Sequence, residues 1–387
     1  MKKTFKFKLY KNKKNKYLIQ QIELSCRLYN HCIALHKKYY KLYKKHLNVY
    51  KLQKHITKLK QSNKFKDLRD LNSQTIQDVA QRIDKAYQLF FYNIKHKIKS
   101  SPPGFKKVKK YKSFTLKQCG YKFLEDNKIK IKNKIFKYSK SRAIEGKIKT
   151  VTIKRDNLDN LYLYVICDVR LDNQNRTMTG KIASFDFGLK TFLTSHTGEK
   201  IESPMFYTKL STAIAKANRK LSRKNKLSNN HKKARTELSS IYQKLINKRN
   251  DHHFKLANKL AKEYDYLFFE DLNIKQMQKV YGKKISDLSF SSFLKILDYE
   301  CQKYGSKLIK IDRYYPSSKT CSVCGSINNN LKIKDKSWIC QSCGTEHDRD
   351  INAAKNIYMV GASTIAGDTV RPDILRQVLL IAESHRL

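Results

Sequence analysis

Two Cys-x2-Cys pairs, Cys321/Cys324 and Cys340/Cys343, lie 15 residues apart in the segment TCSVCGSINNNLKIKDKSWICQSCGTEHDRDINAAKN, residues 320–356. No other feature restricts local folding as tightly, because so short a segment cannot bury a core of its own. The spacing predicts a ribbon in which two knuckles present four thiolates tetrahedrally to one Zn²⁺. Gly325 and Gly344 follow the second cysteine of each pair, where a tight knuckle requires a permissive backbone. Four protein ligands leave no open position, so the zinc is expected to be structural, with His347 nearby but not a ligand. Disulfides or free thiols are the competing readings. The other five cysteines (Cys26, Cys32, Cys119, Cys167, Cys301) are scattered and read as reduced, partly buried thiols, which favours a reducing compartment and zinc.

The chain has 387 residues, enough for two or three domains, and its 83 Lys and Arg against 32 Asp and Glu give a net charge of +51. Self-repulsion of that size opposes compaction unless a polyanion is near, and nucleic acid is the expected partner. A membrane surface fits less well, because the basic residues are spread over the whole chain. No run of about 18 apolar residues exists, so no spanning helix is expected. The basic N-terminus, MKKTFKFKLYKNKKNKY, lacks the apolar stretch of a signal peptide.

Periodicity divides the chain. Residues 4–10 alternate as a short strand, and 16–98 read as helical. Leu28, Cys32, Leu35, Tyr39 and Leu42 line one helical face, and Ile76, Val79, Ile83, Tyr87, Phe90 and Ile94 another, with Asn72 or Ser73 as its cap. The tract KKYYKLYKKH at 37–46 can stack bases, but an amphipathic helix with a basic outer face is the plainer expectation. SPPG at 101–104 breaks the helix, and 105–180 reads as β with a turn at 156–160. From 181 the order is strand, hairpin, two helices over 207–262, the buried strand YDYLFFEDL, a helix near 290–304 and the strand SKLIKID, an α/β layout with a central sheet. The tail, 361–387, carries a short apolar helix to which no role attaches.

Three acids stand out from this basic background. Asp186 lies mid-strand in SFDFG, with Phe185 and Phe187 expected on the opposite face. A carboxylate on a central strand is costly unless it meets a cation or donor. Glu270 ends YLFFE, where open α/β sheets place functional groups. Asp348 and Asp350 open the helix RDINAAKNI, whose Ala353 and Ala354 allow close packing onto a sheet. Singly, each has a bland role: a helix N-cap for either aspartate, a strand-end ion pair for Glu270. Together, three carboxylates from two strand ends and a helix start can converge on a pair of divalent cations about 4 Å apart. Mg²⁺, which prefers hard oxygen ligands, is the expected metal.

The segments SFDFGLKTFLTSHTGE, YDYLFFEDLNIKQM and SSKTCSVCG…WICQSCGTEHDRDINAAKNI, in that order, resemble the TnpB family of transposon-encoded, RNA-guided DNA nucleases, compact relatives of the type V CRISPR effectors. KFKLY, LSCRLYNHCIALHKKYY and SPPGFKKVKKYKSF resemble its N-terminal pieces more weakly. The resemblance implies a multidomain α/β protein with a RuvC (RNase H-like) nuclease domain over 181–358, into which a zinc ribbon is inserted at 317–346. It also implies a wedge β-barrel formed by 1–15 and 99–180, a helical recognition lobe over 16–98 and a tail over 359–387. Asp186 and Glu270 become the first two acids of the nuclease site, and the pattern DxNAAxN puts the third at Asp350, leaving Asp348 as helix cap. Phe185 and Phe187 depart from the smaller or aliphatic residues common in the family. The same resemblance implies a guide noncoding RNA, a double-stranded DNA target beside a short motif, and Mg²⁺-dependent cleavage in a prokaryotic cytoplasm, on the nucleoid. A nuclease-inactive RNA-guided repressor, a transposase accessory binding transposon-end DNA and a non-enzymatic zinc-ribbon protein compete. The intact acid set favours cleavage.

Overall fold

The computed structural model describes residues 1–170, 178–226, 228–332 and 334–367, apart from the side chains of 275, 280, 281, 283–286, 366 and 367. It forms two compact units that meet in sequence at residue 171.

In the first unit, β1 (Lys2–Leu9) buries Phe5, Phe7 and Leu9 and turns Lys6 and Lys8 outward, the alternation expected of a half-buried strand. Three helices come next: α1 (Asn15–Tyr43), α2 (Val49–Gln61) and α3 (Ser73–Lys95). Asn48 and Asn72 cap α2 and α3, each side-chain oxygen accepting a first-turn N–H at 2.9 Å. The chain then makes β2 (Ser113–Leu116), β3 (Tyr121–Leu124), β4 (Lys128–Ile131), β5 (Lys134–Ser139), β6 (Lys147–Arg155) and β7 (Leu161–Asp168). All join β1 in a nearly closed antiparallel sheet ordered β2-β6-β7-β1-β5-β4-β3. The first strand thus sits mid-sheet between the latest strand and an earlier one. One continuous hydrophobic core, from Phe5 through Cys32, Ile83 and Phe114 to Cys167, serves helices and sheet together.

The second unit holds β8 (Ile182–Phe187), β9 (Thr191–Ser195), β10 (Lys200–Glu202), α4 (Phe206–Ser222), α5 (Asn229–Glu263), β11 (Tyr266–Glu270), α6 (Ile274–Leu288), α7 (Phe290–Tyr304) and β12 (Lys307–Ile311). The ribbon hairpin β13 (Ser337–Ile339) and β14 (Glu346–Asp348) leads into α8 (Arg349–Gly367). The sheet order is β10-β9-β8-β11-β12, with β8, β11 and β12 parallel and the first three strands antiparallel. Its two faces carry separate cores. Ala183, Phe185, Phe187, Leu267 and Phe269 pack towards α5 and α7, whereas Ile182, Tyr266 and Phe268 meet Ile357, Tyr358, Ala362 and Ile365 of α8. α8 lies close to the sheet because its contact residues are small. Ala353 and Ala354 are fully buried, and a Cβ at Gly361 would stand 2.3 Å from the Phe268 ring.

Two features differ from the sequence reading. α8 continues to Gly367, so packed helix and not tail occupies 359–367, because Ala362 and Ile365 still face the sheet. The helix α6 has no counterpart in the sequence reading; it kinks at Gly282, where φ is +28°. The apolar segment expected beyond 367 lies outside the described residues. Among the described residues, no helix is long and apolar enough to cross a membrane.

Candidate active site and metal centre

The acids of the second unit come together for reasons that begin in strand geometry. β8 and β11 run parallel with Phe185 opposite Phe269, so the next residues, Asp186 and Glu270, stand side by side at the carboxyl ends of the strands. Alternation sends Phe185, Phe187 and Phe269 into the α5/α7 core and turns both carboxylates towards α8. Ser184, two residues before Asp186 on the same face, donates its hydroxyl to the Ala354 carbonyl of α8 at 2.6 Å. This contact helps fix the helix so that its first turn, with Asp350, faces the strand ends. All three carboxylates line one cleft of about 820 Å³.

The electrostatics of the cleft are those of acids crowded away from water. Burial raises the Asp186 carboxyl to about 8, and the neighbouring Glu270 and Asp350 add to the rise. Burial alone holds Glu270 at about 7. Arg349 binds the Asp350 carboxylate through Nε and Nη2, at 3.2 and 3.1 Å. Around the acids the cleft is lined by Lys190, Lys200, Lys319, Lys336 and Arg349, with Lys332 and Lys334 from the ribbon. The result is a carboxylate floor inside a cationic rim.

Asp348 is divided from this group by its bonds. Its Oδ1 accepts the backbone N–H groups of Asp350 and Ile351, at 2.9 and 3.1 Å, and its Oδ2 takes Lys200 Nζ at 2.9 Å. It is the helix cap, and these bonds keep its carboxyl below the usual range although burial pulls the other way. Asp350 is left with its side chain in the cleft.

The four cysteines form the metal-type cluster found among the described residues, their Sγ atoms all within 4.8 Å of one another. Two ligands of a tetrahedral Zn²⁺ with bonds of about 2.3 Å stand about 3.8 Å apart. Cys321 and Cys343 are 3.7 Å apart and Cys324 and Cys340 3.6 Å, so the set fits zinc. Ser326 Oγ lies 3.1 Å from both Cys324 and Cys340 Sγ, and this hydroxyl is the main reason the Cys340 thiol falls to about 6. Gly325 and Gly344 take φ of +78° and +72°, where a side chain would strain each knuckle. His347 Nε2 is 3.1 Å from Cys321 Sγ and its ring packs on Trp338 at 4.7 Å; it supports a thiolate from outside the ligand set. The remaining cysteines are free, and all but Cys119 are buried.

Two residues escaped the sequence reading. Asn352 Oδ1 accepts the Ser322 N–H at 2.9 Å, and its Nδ2 donates to the Thr320 carbonyl at 2.7 Å. Asn356 Nδ2 donates to the carbonyls of Ser317 and Thr320, at 2.7 and 2.6 Å. Both are buried, one turn apart on α8, and they clamp the chain entering the first knuckle to the helix that bears Asp350. Their four-residue spacing within DINAAKN was the available signal.

Known proteins resemble this chain in sequence and in fold. The family profile described as "Cas12f1-like, TNB domain" matches residues 290–357, and one described as "Probable transposase" matches 164–281. A protein of Streptomyces pristinaespiralis is 29% identical over 82% of this chain and 79% of its own length; one of Escherichia coli K12 is 22% identical over 94% and 93%. Both bear the name "Putative RNA-guided DNA endonuclease", the second with the suffix InsQ. "TnpB-like protein L79" of Acanthamoeba polyphaga mimivirus is 30% identical over 55% of this chain and 43% of its own. Among solved structures, a Cas12f1 in complex with sgRNA and target DNA superposes with a TM-score of 0.57 at 15% identity, covering 89% of this chain and 83% of that one. That likeness is one of fold.

Proposed function

From the premise that this chain belongs to the TnpB family, we propose that it is an RNA-guided DNA endonuclease. A noncoding RNA from its own transposon would supply the guide, and double-stranded DNA beside a short adjacent motif would be the target. One observation carries the enzymatic part: Asp186, Glu270 and Asp350, from three distant segments, line a single cleft whose rim is cationic. A protein that only bound nucleic acid would gain nothing from carboxyls held so far above their ordinary range. The set also speaks against the nuclease-inactive repressor, which has no use for it.

We assign the second unit to the RNase H-like (RuvC) class. Support comes from the antiparallel β8–β9–β10, the parallel β11 and β12, and acids at the ends of β8 and β11 and the start of α8. Asp186, Glu270 and Asp350 would hold divalent cations, Mg²⁺ by preference; hard carboxylate oxygens crowded into one cleft, with Arg349 on Asp350 as their charged partner, are a fitting donor set. When bound, such ions supply positive charge at the scissile phosphate and an activated water. The chain's own part is to bind and orient. Lys190, Lys200, Lys319 and Lys336 place the phosphodiester over the acids, while Arg349 and the Asp348 cap hold Asp350. Cys321, Cys324, Cys340 and Cys343 would hold the structural Zn²⁺. The prokaryotic cytoplasm and nucleoid are the proposed setting.

The test is cleavage of a matched duplex by the purified ribonucleoprotein, with Asp186→Ala as control. Cleavage should need Mg²⁺, and the variant should lose about 100-fold or more, the scale of losing a main charge-stabilising group. Target binding should persist. A variant that still cuts would remove Asp186 from the site, and a wild type that binds its target without cutting would favour the repressor.

A further inference from the structure

The aromatic and basic tract at 37–46 has no part in the nuclease cleft, and it departs from the expected amphipathic helix with one basic face. α1 is buried as far as His36; from Lys37 through His46 every residue is exposed except the half-buried Tyr39. Tyr40 keeps 60% of its surface in solvent, Leu42 61% and Tyr43 59%. The final turns of α3 behave likewise, with Phe91 45% and Tyr92 56% exposed. The two ends belong to one surface: the His46 ring, just past α1, lies 5.4 Å from the rings of both Tyr87 and Phe91 on α3. Beneath them His36 stacks on Tyr87 at 4.7 Å, a buried floor that fixes the helix ends.

Exposed rings of this density mark a binding surface, and the charges around them select the partner. Lys37, Lys38, Lys41, Lys44 and Lys45 interleave the rings of α1, and no acidic residue occurs over 24–66 or 85–124. Asp84 is paired with His46 at 3.7 Å. A second copy would bring the same lysines against these. An apolar protein partner would bury them unpaired, at high cost. Bases stacked on tyrosine with phosphates on lysine satisfy both the rings and the charges.

We propose that the adjoining ends of α1 and α3 form a platform on which unpaired bases of a single-stranded nucleic acid stack, Tyr40, Tyr43 and Tyr92 supplying ring faces and Lys41 and Lys44 taking phosphates. This surface lies within the first unit, and its existence does not depend on the nuclease reading.

The full-length protein is irradiated with 4-thiouridine-labelled single strands of about 15 nucleotides, a length near the upper end of known single-strand sites. Labelled peptides are then mapped by mass spectrometry. Nucleotide should be found on Tyr40, Tyr43 or Tyr92, and unlabelled single strand should compete it away where duplex of equal length does not. Tyr40→Ala/Tyr43→Ala should lower labelling of this surface at least ten-fold without moving Tm, since both rings are exposed. Lys41→Gln/Lys44→Gln should lower it while keeping the rings. Labelling elsewhere on the chain but not here would overturn the proposal, as would equal competition by duplex. A wild-type dimer that the tyrosine variant dissolves would also overturn it, by making the occupant a second copy.

Discussion

The Asp186 carboxyl, buried beside Glu270 and Asp350, is where sequence, burial and chemistry bear on a single atom group. Its folded value of about 8 lies above the ordinary 3.8, so between those values the folded chain holds a proton that the unfolded chain has released. Its contribution to stability is therefore full below about pH 4 and is lost as pH rises towards about 8. In protein stripped of divalent ions, Asp186→Asn should gain on the wild type across this window, by about 1–3 kcal/mol at the upper end. Added Mg²⁺ should reverse the order, because only the wild type gains from binding the ion. Paired melting curves across the window, with EDTA and with Mg²⁺, check both signs; a difference that does not change with pH would show Asp186 to be solvated. Asp348 makes the opposite case. Asp348→Ala removes a cap and should cost about 0.5–2 kcal/mol, with a parallel loss of cleavage, whereas Asp348→Asn should restore most of both. Equal cleavage in all three forms would show that the cap does not position Asp350. The division between these two aspartates was partly legible, since helix starts attract caps. The Lys200 bond was not, because that strand residue lies 148 positions away and nothing in its type announces the pairing.

At the scale of elements, the ribbon and α8 act as one part. β14 runs into α8 without a linker, Asp348 caps the junction, and Asn352 and Asn356 tie the helix back to the chain entering the first knuckle. Cys340→Ser/Cys343→Ser should accordingly lower melting temperature and cleavage together, and zinc chelation should do the same to the wild type, because on the proposed reading the binding energy of a structural zinc is folding energy. Cleavage by the variant at the wild-type rate would show the two sites to be independent. The ribbon could be read in advance because thiolate spacing is a direct imprint of coordination geometry, and β8 and β11 because buried parallel strands are nearly continuous apolar runs. The asparagine clamp was marked only by the spacing of its two residues, since its partners are backbone carbonyls and an N–H 30 or more residues away, which place no demand on residue type. The exposed end of α1 misled for a related reason. Its apolar spacing continues past His36, but beyond Tyr39, which still packs on the core, Leu42 and Tyr43 lie exposed.

Over the whole molecule, the +51 charge sets how the complex responds to its medium. Each phosphate neutralised by lysine or arginine releases counterions, so affinity for nucleic acid should fall about 10³-fold or more between roughly 50 and 200 mM salt. Filter binding across that range gives the slope; a flat response would mean that few of the basic residues meet phosphate. The order in which the cleft is assembled has a further consequence. Ser184 and Ala354, whose bond joins sheet to helix beside the three acids, are separated by 170 residues, with α4, α5 and the ribbon between them. At synthesis rates of about 5–20 residues per second, roughly 10–30 s pass after the first carboxylate is made before the helix bearing the third can dock. During translation the first unit and two of the three acids are complete long before the proposed site can close, and a product interrupted within the ribbon lacks Asp350 altogether.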